Sequence, residues 1–265
     1  MGYFKPHLPF NAPKRYWDLY KRDEIDLADN PFAPHNVPEI AMHNWGELRK
    51  YHGMPSEGPV PEEKARELIH GYYACTSYID AQIGRLLDEL DRLGLRENTV
   101  VVVWGDHGWQ LGEHGLWCKH SNFETSAHAP LIFSAPGMKD AGKPTDALVE
   151  FVDIYPTLCE LAGLPLPDHL EGTSLVPVLN DAGRKWKSAA FSQYPRYVMG
   201  YSMRTDRYRF TLWMKNDGQA EAIELYDHRV DPSENNNIAG SPENTELVKQ
   251  LTKQLKSGWR GALPG

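Results

Sequence analysis

An uninterrupted apolar run, Val100-Val101-Val102-Val103-Trp104, ends abruptly in Gly105-Asp106-His107-Gly108, and no other stretch restricts the fold as tightly. β-Branched residues without polar alternation predict a short strand buried on both faces of a sheet. The reversal in polarity then places a carboxylate and an imidazole just past the carboxyl end of that strand, where open α/β sheets bind their ligands. Hard cations favour carboxylate oxygen and many divalent ions accept imidazole, so Asp106 and His107 can form half of a divalent-metal site. The loop continues through Gly112, Glu113, His114 and Gly115 to Lys119, a cation that can return over the same strand end and face a small oxyanion at the metal. The residues leave one alternative open, a polar turn leaving a strand with Lys119 solvated.

The flanking segments alternate in type. Residues 61–93 predict a helix: Pro61, Glu62 and Glu63 suit its start, Leu68, Ile69, Tyr72, Ile79, Ile83, Leu86 and Leu90 form an apolar stripe, and Gly94 stops it. A helix leading into the apolar strand is an α-then-β unit. Beyond the loop, 130–135 reads as a second short buried strand and 148–162 as a helix. From 185 onward the runs shorten: 189–193, 201–204, 208–214 and 224–226 alternate as antiparallel strands do, and 243–257 closes the chain as a helix. The expected class is α/β, a mostly parallel sheet flanked by helices with a small antiparallel carboxyl-terminal subdomain, divided as 1–184 and 185–265. Residues 11–61 predict one short amphipathic helix around Tyr16, Trp17 and Tyr20 within a long irregular excursion, a common form of lid or rim. His35, His43 and His52 lie there without ligand spacing.

Charge and composition exclude several classes. A formal net charge of −8 over 265 residues argues against nucleic-acid binding, which needs a basic surface. No apolar run reaches membrane-spanning length, and nothing near Met1 reads as a secretion signal. Cys75, Cys118 and Cys159 are too few and scattered for a disulfide framework or zinc cluster, and Cys118 reads as a packed thiol.

Strand-Gly105-Asp106-His107-Gly108, with Leu111-Gly112-Glu113-His114-Gly115 and Trp117-Cys118-Lys119, resembles the second metal-binding segment of the type I sulfatases in the alkaline-phosphatase superfamily. It is most similar to the iduronate-2-sulfatase branch, where Asp-His replaces the commoner Asp-Asn. Gly2-Tyr3-Phe4-Lys5-Pro6-His7-Leu8-Pro9-Phe10, Ser192-Gln193-Tyr194-Pro195-Arg196 and Gly200-Tyr201-Ser202-Met203-Arg204-Thr205 extend the likeness over nearly the whole chain. The resemblance implies a sulfuric ester hydrolase acting on sulfated sugars, exported or lysosomal. Asp106 and His107 would bind a divalent metal, calcium by family expectation. Lys119 would neutralise a sulfate oxygen, and His7 would hydrogen-bond or protonate the leaving oxygen. His120 and Arg196 are candidates for a sugar carboxylate, and Trp109 for stacking on a sugar face. Tyr197 stands where the iduronate enzymes carry a lysine, a departure in the substrate region.

The formylglycine of these enzymes is made from the Cys or Ser of a Cys/Ser-x-Pro-x-Arg motif, and no such motif occurs in these 265 residues. The amino-terminal Asp-Asp pair of the family's metal site is also missing. The expectation is therefore an amino-terminally truncated sulfatase, inactive alone, whose nucleophile comes from a companion segment or chain. The alternatives are a phosphoesterase of the same superfamily and a non-catalytic module binding metal or polyanion.

Overall fold

The computed structural model describes residues 1–265. In chain order its helices are α1 (Lys14–Trp17), α2 (Gly46–Arg49), α3 (Glu62–Arg92), α4 (Glu124–Ala127), α5 (Ile154–Leu161), α6 (Val176–Asn180) and α7 (Thr245–Ser257). Its strands are β1 (Val101–Trp104), β2 (Gln110–Leu111), β3 (Trp117–Cys118), β4 (Leu131–Ser134), β5 (Ala190–Pro195), β6 (Met199–Arg204), β7 (Tyr208–Met214) and β8 (Ala220–Asp227). The chain divides into two compact units: Met1–Ala33, His43–Arg96 and Trp109–His120 form one, and Pro34–Met42, Glu97–Gly108 and Ser121–Gly265 the other. The boundary expected at 184/185 falls inside the second unit, just before β5.

Helix α3 organises the first unit. Glu62 and Glu63 lie in its first turn, where carboxylates favour the positive end of the helix dipole, and Gly94 takes φ 67° just past its end. Its amino-terminal half buries Ala65, Ile69, His70, Gly71, Ala74 and Cys75. Phe10 and Trp17 come so close at Gly71 that an added Cβ would lie 2.8 Å from Phe10 Cβ and 3.0 Å from the Trp17 ring. The Trp17 carbonyl accepts from His70 Nε2 at 2.8 Å, and the Tyr20 and Ser77 hydroxyls bond at 2.6 Å. These contacts fasten the amino-terminal segment, and with it His7, to the helix. The expected amphipathic helix shortens to the single turn of α1.

In the second unit β5–β8 form an antiparallel meander in sequence order. Period-2 alternation sends Phe210 and Leu212 to a core with Met203, Leu225, Leu251 and Leu255, so one sheet face packs on α7. The opposite face is also covered, since Trp213 packs with Ile40 and Ala41. Strands and terminal helix follow the expected segments closely.

Two expectations about β1 are corrected within the α/β class. β1 pairs antiparallel with β4, Val101 opposite Ser134 and Trp104 opposite Leu131, rather than entering a parallel sheet. A parallel partner needs a crossover, usually helical, and α4, the one α-helix between β1 and β4, has four residues. Nor is β1 buried on both faces: Val101, Val102 and Val103 are half-buried, and Trp104 and Ile132 are 51% and 60% exposed.

Candidate functional site

The motif of residues 111–119 builds a hairpin. Gln110 pairs with Cys118 and Leu111 with Trp117, and the turn between takes three left-handed residues, Gly112, His114 and Gly115. Glycine adopts that region freely; His114 is held there by burial and by its N–H donating to Asn30 O at 2.7 Å. Glu113 is spent on the turn, its Oε2 accepting from Leu111 N at 2.6 Å. Glu113 and His114 are thus structural, and the hairpin's product is Lys119, presented at the end of β3.

Lys119 Nζ lies 2.8 Å from His7 Nε2 and 4.8 Å from the centre of the Trp109 ring. The Trp109 ring also meets His7 edge-on at 5.4 Å. His7 Nδ1 is 2.8 Å from Leu8 O, an oxygen that only accepts, so Nδ1 carries a hydrogen and Nε2 faces the lysine. The first unit therefore brings together His7, Lys119, Trp109 and His120, four of the expected residues.

A fifth member had no sequence signal. Glu47 Oε1 and Oε2 lie 2.8 and 2.7 Å from Lys119 Nζ, Oε1 lies 2.9 Å from His7 Nε2, and Oε2 3.1 Å from His120 Nε2. Burial opposes ionisation of Glu47, but hydrogen bonding and charge from Lys119, with His7 and His120, outweigh it and hold the carboxyl below its ordinary range. Glu47, Lys119 and His120 border a cavity of about 530 Å³ that Lys50 and Tyr51 also line. Cys118, next to Lys119, is buried and its thiol is pushed up to about 12, chiefly by burial, so it stays an inert packed group.

Asp106 and His107 lie in the second unit. Their loop is clamped at both ends, Gly105 N donating to Pro130 O at 3.0 Å and Gly108 N to Ser126 O at 2.9 Å. Asp106 is exposed, and its Oδ2 is 3.5 Å from His107 Nε2. His107 Nδ1 is 2.8 Å from Gly108 O, which fixes the proton on Nδ1 and leaves the Nε2 lone pair beside a carboxylate. That is the arrangement a metal-binding histidine takes when a backbone carbonyl orients it. The pair fits two ligands of a divalent cation; calcium requires six to eight oxygens, so the rest of such a shell would come from other groups. Arg196, in the same unit, stacks on the Tyr194 ring at 4.7 Å.

A second ligand-type cluster in this unit was not legible in the sequence. Glu124, His228 and Glu234 bring their ligand atoms within 4.8 Å of one another. Its cation is already present as the buried Arg209, paired with Glu124 and, at 2.7 Å, with Glu234 Oε1. Burial opposes ionisation of Glu124, yet His128, Arg209 and Arg204 together draw its carboxyl far below the usual range.

Two family models match the chain, one described as Sulfatase over residues 2–164 and one as N-sulphoglucosamine sulphohydrolase, C-terminal, over 112–260. The chain is 32% identical to the iduronate 2-sulfatase of Homo sapiens over 328 residues, covering 95% of this chain and 59% of that protein. Among solved structures it is similar to BT4656 in complex with its substrate D-glucosamine-2-N,6-O-disulfate, with a TM-score of 0.81, 25% identity, and coverage of 97% of this chain and 64% of that one. A phosphonate monoester hydrolase from Silicibacter pomeroyi is similar at a TM-score of 0.79 and 25% identity, covering 96% of this chain and 54% of that one. The chain thus spans little more than half the length of these relatives. With two models each matching more than half of it, the chain belongs to the sulfatase family.

Proposed function

We propose that this chain carries the sulfate-binding and part of the metal-binding machinery of a sulfuric ester hydrolase acting on sulfated sugars. The observation that carries this reading is the convergence of Lys119 and the His7 and His120 imidazoles on one pair of carboxylate oxygens, because the ammonium and, when protonated, the two imidazoles are donors that suit the oxygens of a sulfate ester. Lys119 neutralises a non-bridging oxygen. His7, with Nδ1–H held by Leu8 O, offers Nε2–H in its imidazolium form to the leaving oxygen as charge develops there. Trp109 backs both groups and is the aromatic proposed for stacking on a sugar; His120 in this unit and Arg196 in the other are separate candidates for recognising a sugar carboxylate. Asp106 and His107 would hold a divalent metal, calcium by analogy, which when bound polarises a sulfate oxygen.

The nucleophile, like the Asp-Asp pair of the metal site, is without a counterpart among the 265 residues, since no Cys/Ser-x-Pro-x-Arg sequence occurs in them. We assign it to a companion segment, without which the chain is inactive. The test is hydrolysis of an aryl sulfate and of D-glucosamine-2-N,6-O-disulfate by the chain as given and by a version joined to a sulfatase segment bearing that motif. Turnover only in the joined form, reduced at least about 100-fold by Lys119→Ala, supports the reading; turnover by the chain as given overturns the assignment of the nucleophile. The likeness to a phosphonate monoester hydrolase favours a second reading, phosphoester or phosphonate hydrolysis. An aryl phosphonate monoester run in parallel separates the two. Anion binding without turnover on any substrate in either form would point to a non-catalytic module.

A further inference from the structure

The pocket of the first unit holds an anion of its own. Both oxygens of Glu47 are engaged by Lys119 Nζ, and each also reaches an imidazole nitrogen, His7 Nε2 for Oε1 and His120 Nε2 for Oε2. A carboxylate and the sulfate group of an ester make the same demand on such donors, since both present oxygens that share negative charge and only accept. The two cannot occupy these donors together. We propose that Glu47 is the pocket's internal counter-ion: it keeps Lys119, His7 and His120 converged in the free protein and is exchanged for the incoming sulfate group, so that it sets which anions the pocket admits and how tightly. This rests on the reading of Lys119 and His7 as the sulfate donors.

The local structure suits exchange by side-chain rotation. The backbone around Glu47 is anchored on both sides: Trp45 and Leu48 are buried, and the Arg49 guanidinium lies 3.4 Å from the centre of the Trp45 ring. Arg49 also donates to Asn44 O, Pro55 O and Gly58 O at 2.8, 2.8 and 2.9 Å. The Glu47 side chain, by contrast, is 24% exposed and stands at the edge of the 530 Å³ cavity. A carboxylate turned into that cavity stays beside Lys50 on its wall, so leaving the three donors does not strand it without a cation. The donors meanwhile remain fixed, Lys119 by the β2–β3 hairpin and His7 by its bond to Leu8 O.

A purely supporting role makes the opposite prediction. If Glu47 only braced the cations, removing its charge would loosen them and weaken anion binding; if it competes, removing its charge strengthens binding. The experiment is calorimetric titration of inorganic sulfate into the wild-type chain and into Glu47→Gln, Glu47→Ala and Lys119→Ala at constant ionic strength. Glu47→Gln and Glu47→Ala are expected to bind sulfate about tenfold more tightly than wild type, and Lys119→Ala to lose binding. Equal, weaker or undetectable binding in both Glu47 variants, with Lys119→Ala still defective, overturns the exchange and leaves the donor assignment standing. Sulfate binding by Lys119→Ala at wild-type affinity overturns the donor assignment and the exchange with it. The two Glu47 variants guard against a folding defect peculiar to one of them.

Discussion

At the scale of single residues, the loop carrying Asp106 and His107 is defined as much by Gly108 as by its ligands. A Cβ built on Gly108 would lie 2.0 Å from Thr125 O, a separation that backbone atoms cannot relieve without moving the loop. Gly108→Ala is therefore expected to destabilise the protein by about 3 kcal/mol or more. Gly84→Ala serves as its control: this site lies inside α3, nothing stands within 4 Å of an added Cβ, and the substitution should stabilise by about 0.5–1 kcal/mol through helix propensity. Urea unfolding of the two variants checks both signs, and equal effects would sink the argument from close approach. Asp106, His107, Lys119 and His7 could be nominated from the sequence because each sits in a short string whose neighbours also carry meaning. Glu47 was not, because it lies 72 residues from Lys119 in an irregular segment where one acid has no periodic context.

At the scale of elements, local pattern fixed most boundaries, and the departures have local causes. The helix expected over 148–162 begins only at Ile154, because Glu150 and Asp153 form a capping box around a 3₁₀ turn at Phe151–Asp153. That turn is also where the second unit hides an ion cluster. Lys187 Nζ lies 2.7 and 2.9 Å from the two Asp153 oxygens and 2.9 Å from Glu150 Oε2, and Thr173 N donates to Asp153 Oδ1 at 2.8 Å. Asp153 is fully buried and Lys187 nearly so. Removing one partner leaves the other charge desolvated and unpaired, so Lys187→Met should cost about 3–5 kcal/mol. Lys14→Ala, which breaks an exposed pair with Asp18, should leave the denaturation midpoint unchanged. Similar midpoints for the two variants would show that the Lys187 cluster contributes nothing beyond a surface pair. The sequence showed Lys187 only as one more charge in a polar stretch, since burial of a lysine has no local signature.

At the scale of the whole molecule, the meander's second face makes global stability depend on pH. Alternation in β8 puts Glu224 on the face away from α7, and an acid at such a position reads as solvent-facing when the covering segment is distant in sequence. Here that segment is Ile40 and Ala41 against Trp213, so Glu224 is buried instead. Its Oε1 accepts from Trp213 Nε1 at 2.7 Å and its Oε2 from Tyr226 OH at 2.8 Å. Burial pushes its carboxyl up from 4.5 to about 7, against the pull of those two hydrogen bonds and of Arg209 and with the help of Glu234. Below pH 4.5 Glu224 is protonated both folded and unfolded and contributes no pH dependence. Between 4.5 and about 7 the unfolded chain ionises it while the folded chain keeps the proton, so the unfolded state binds fewer protons and stability falls as pH rises. Above about 7 both states are ionised and the full deficit, on the order of 3 kcal/mol, remains. Glu224→Gln keeps an oxygen for Trp213 and an amide for the Tyr226 oxygen without a charge to bury. It should match the wild type at pH 4.5 and unfold at higher urea than the wild type at pH 8, the gap opening between those limits. A constant offset between the two proteins across that range would mean that Glu224 does not titrate there and that its carboxylate is held by the ring donors at every pH.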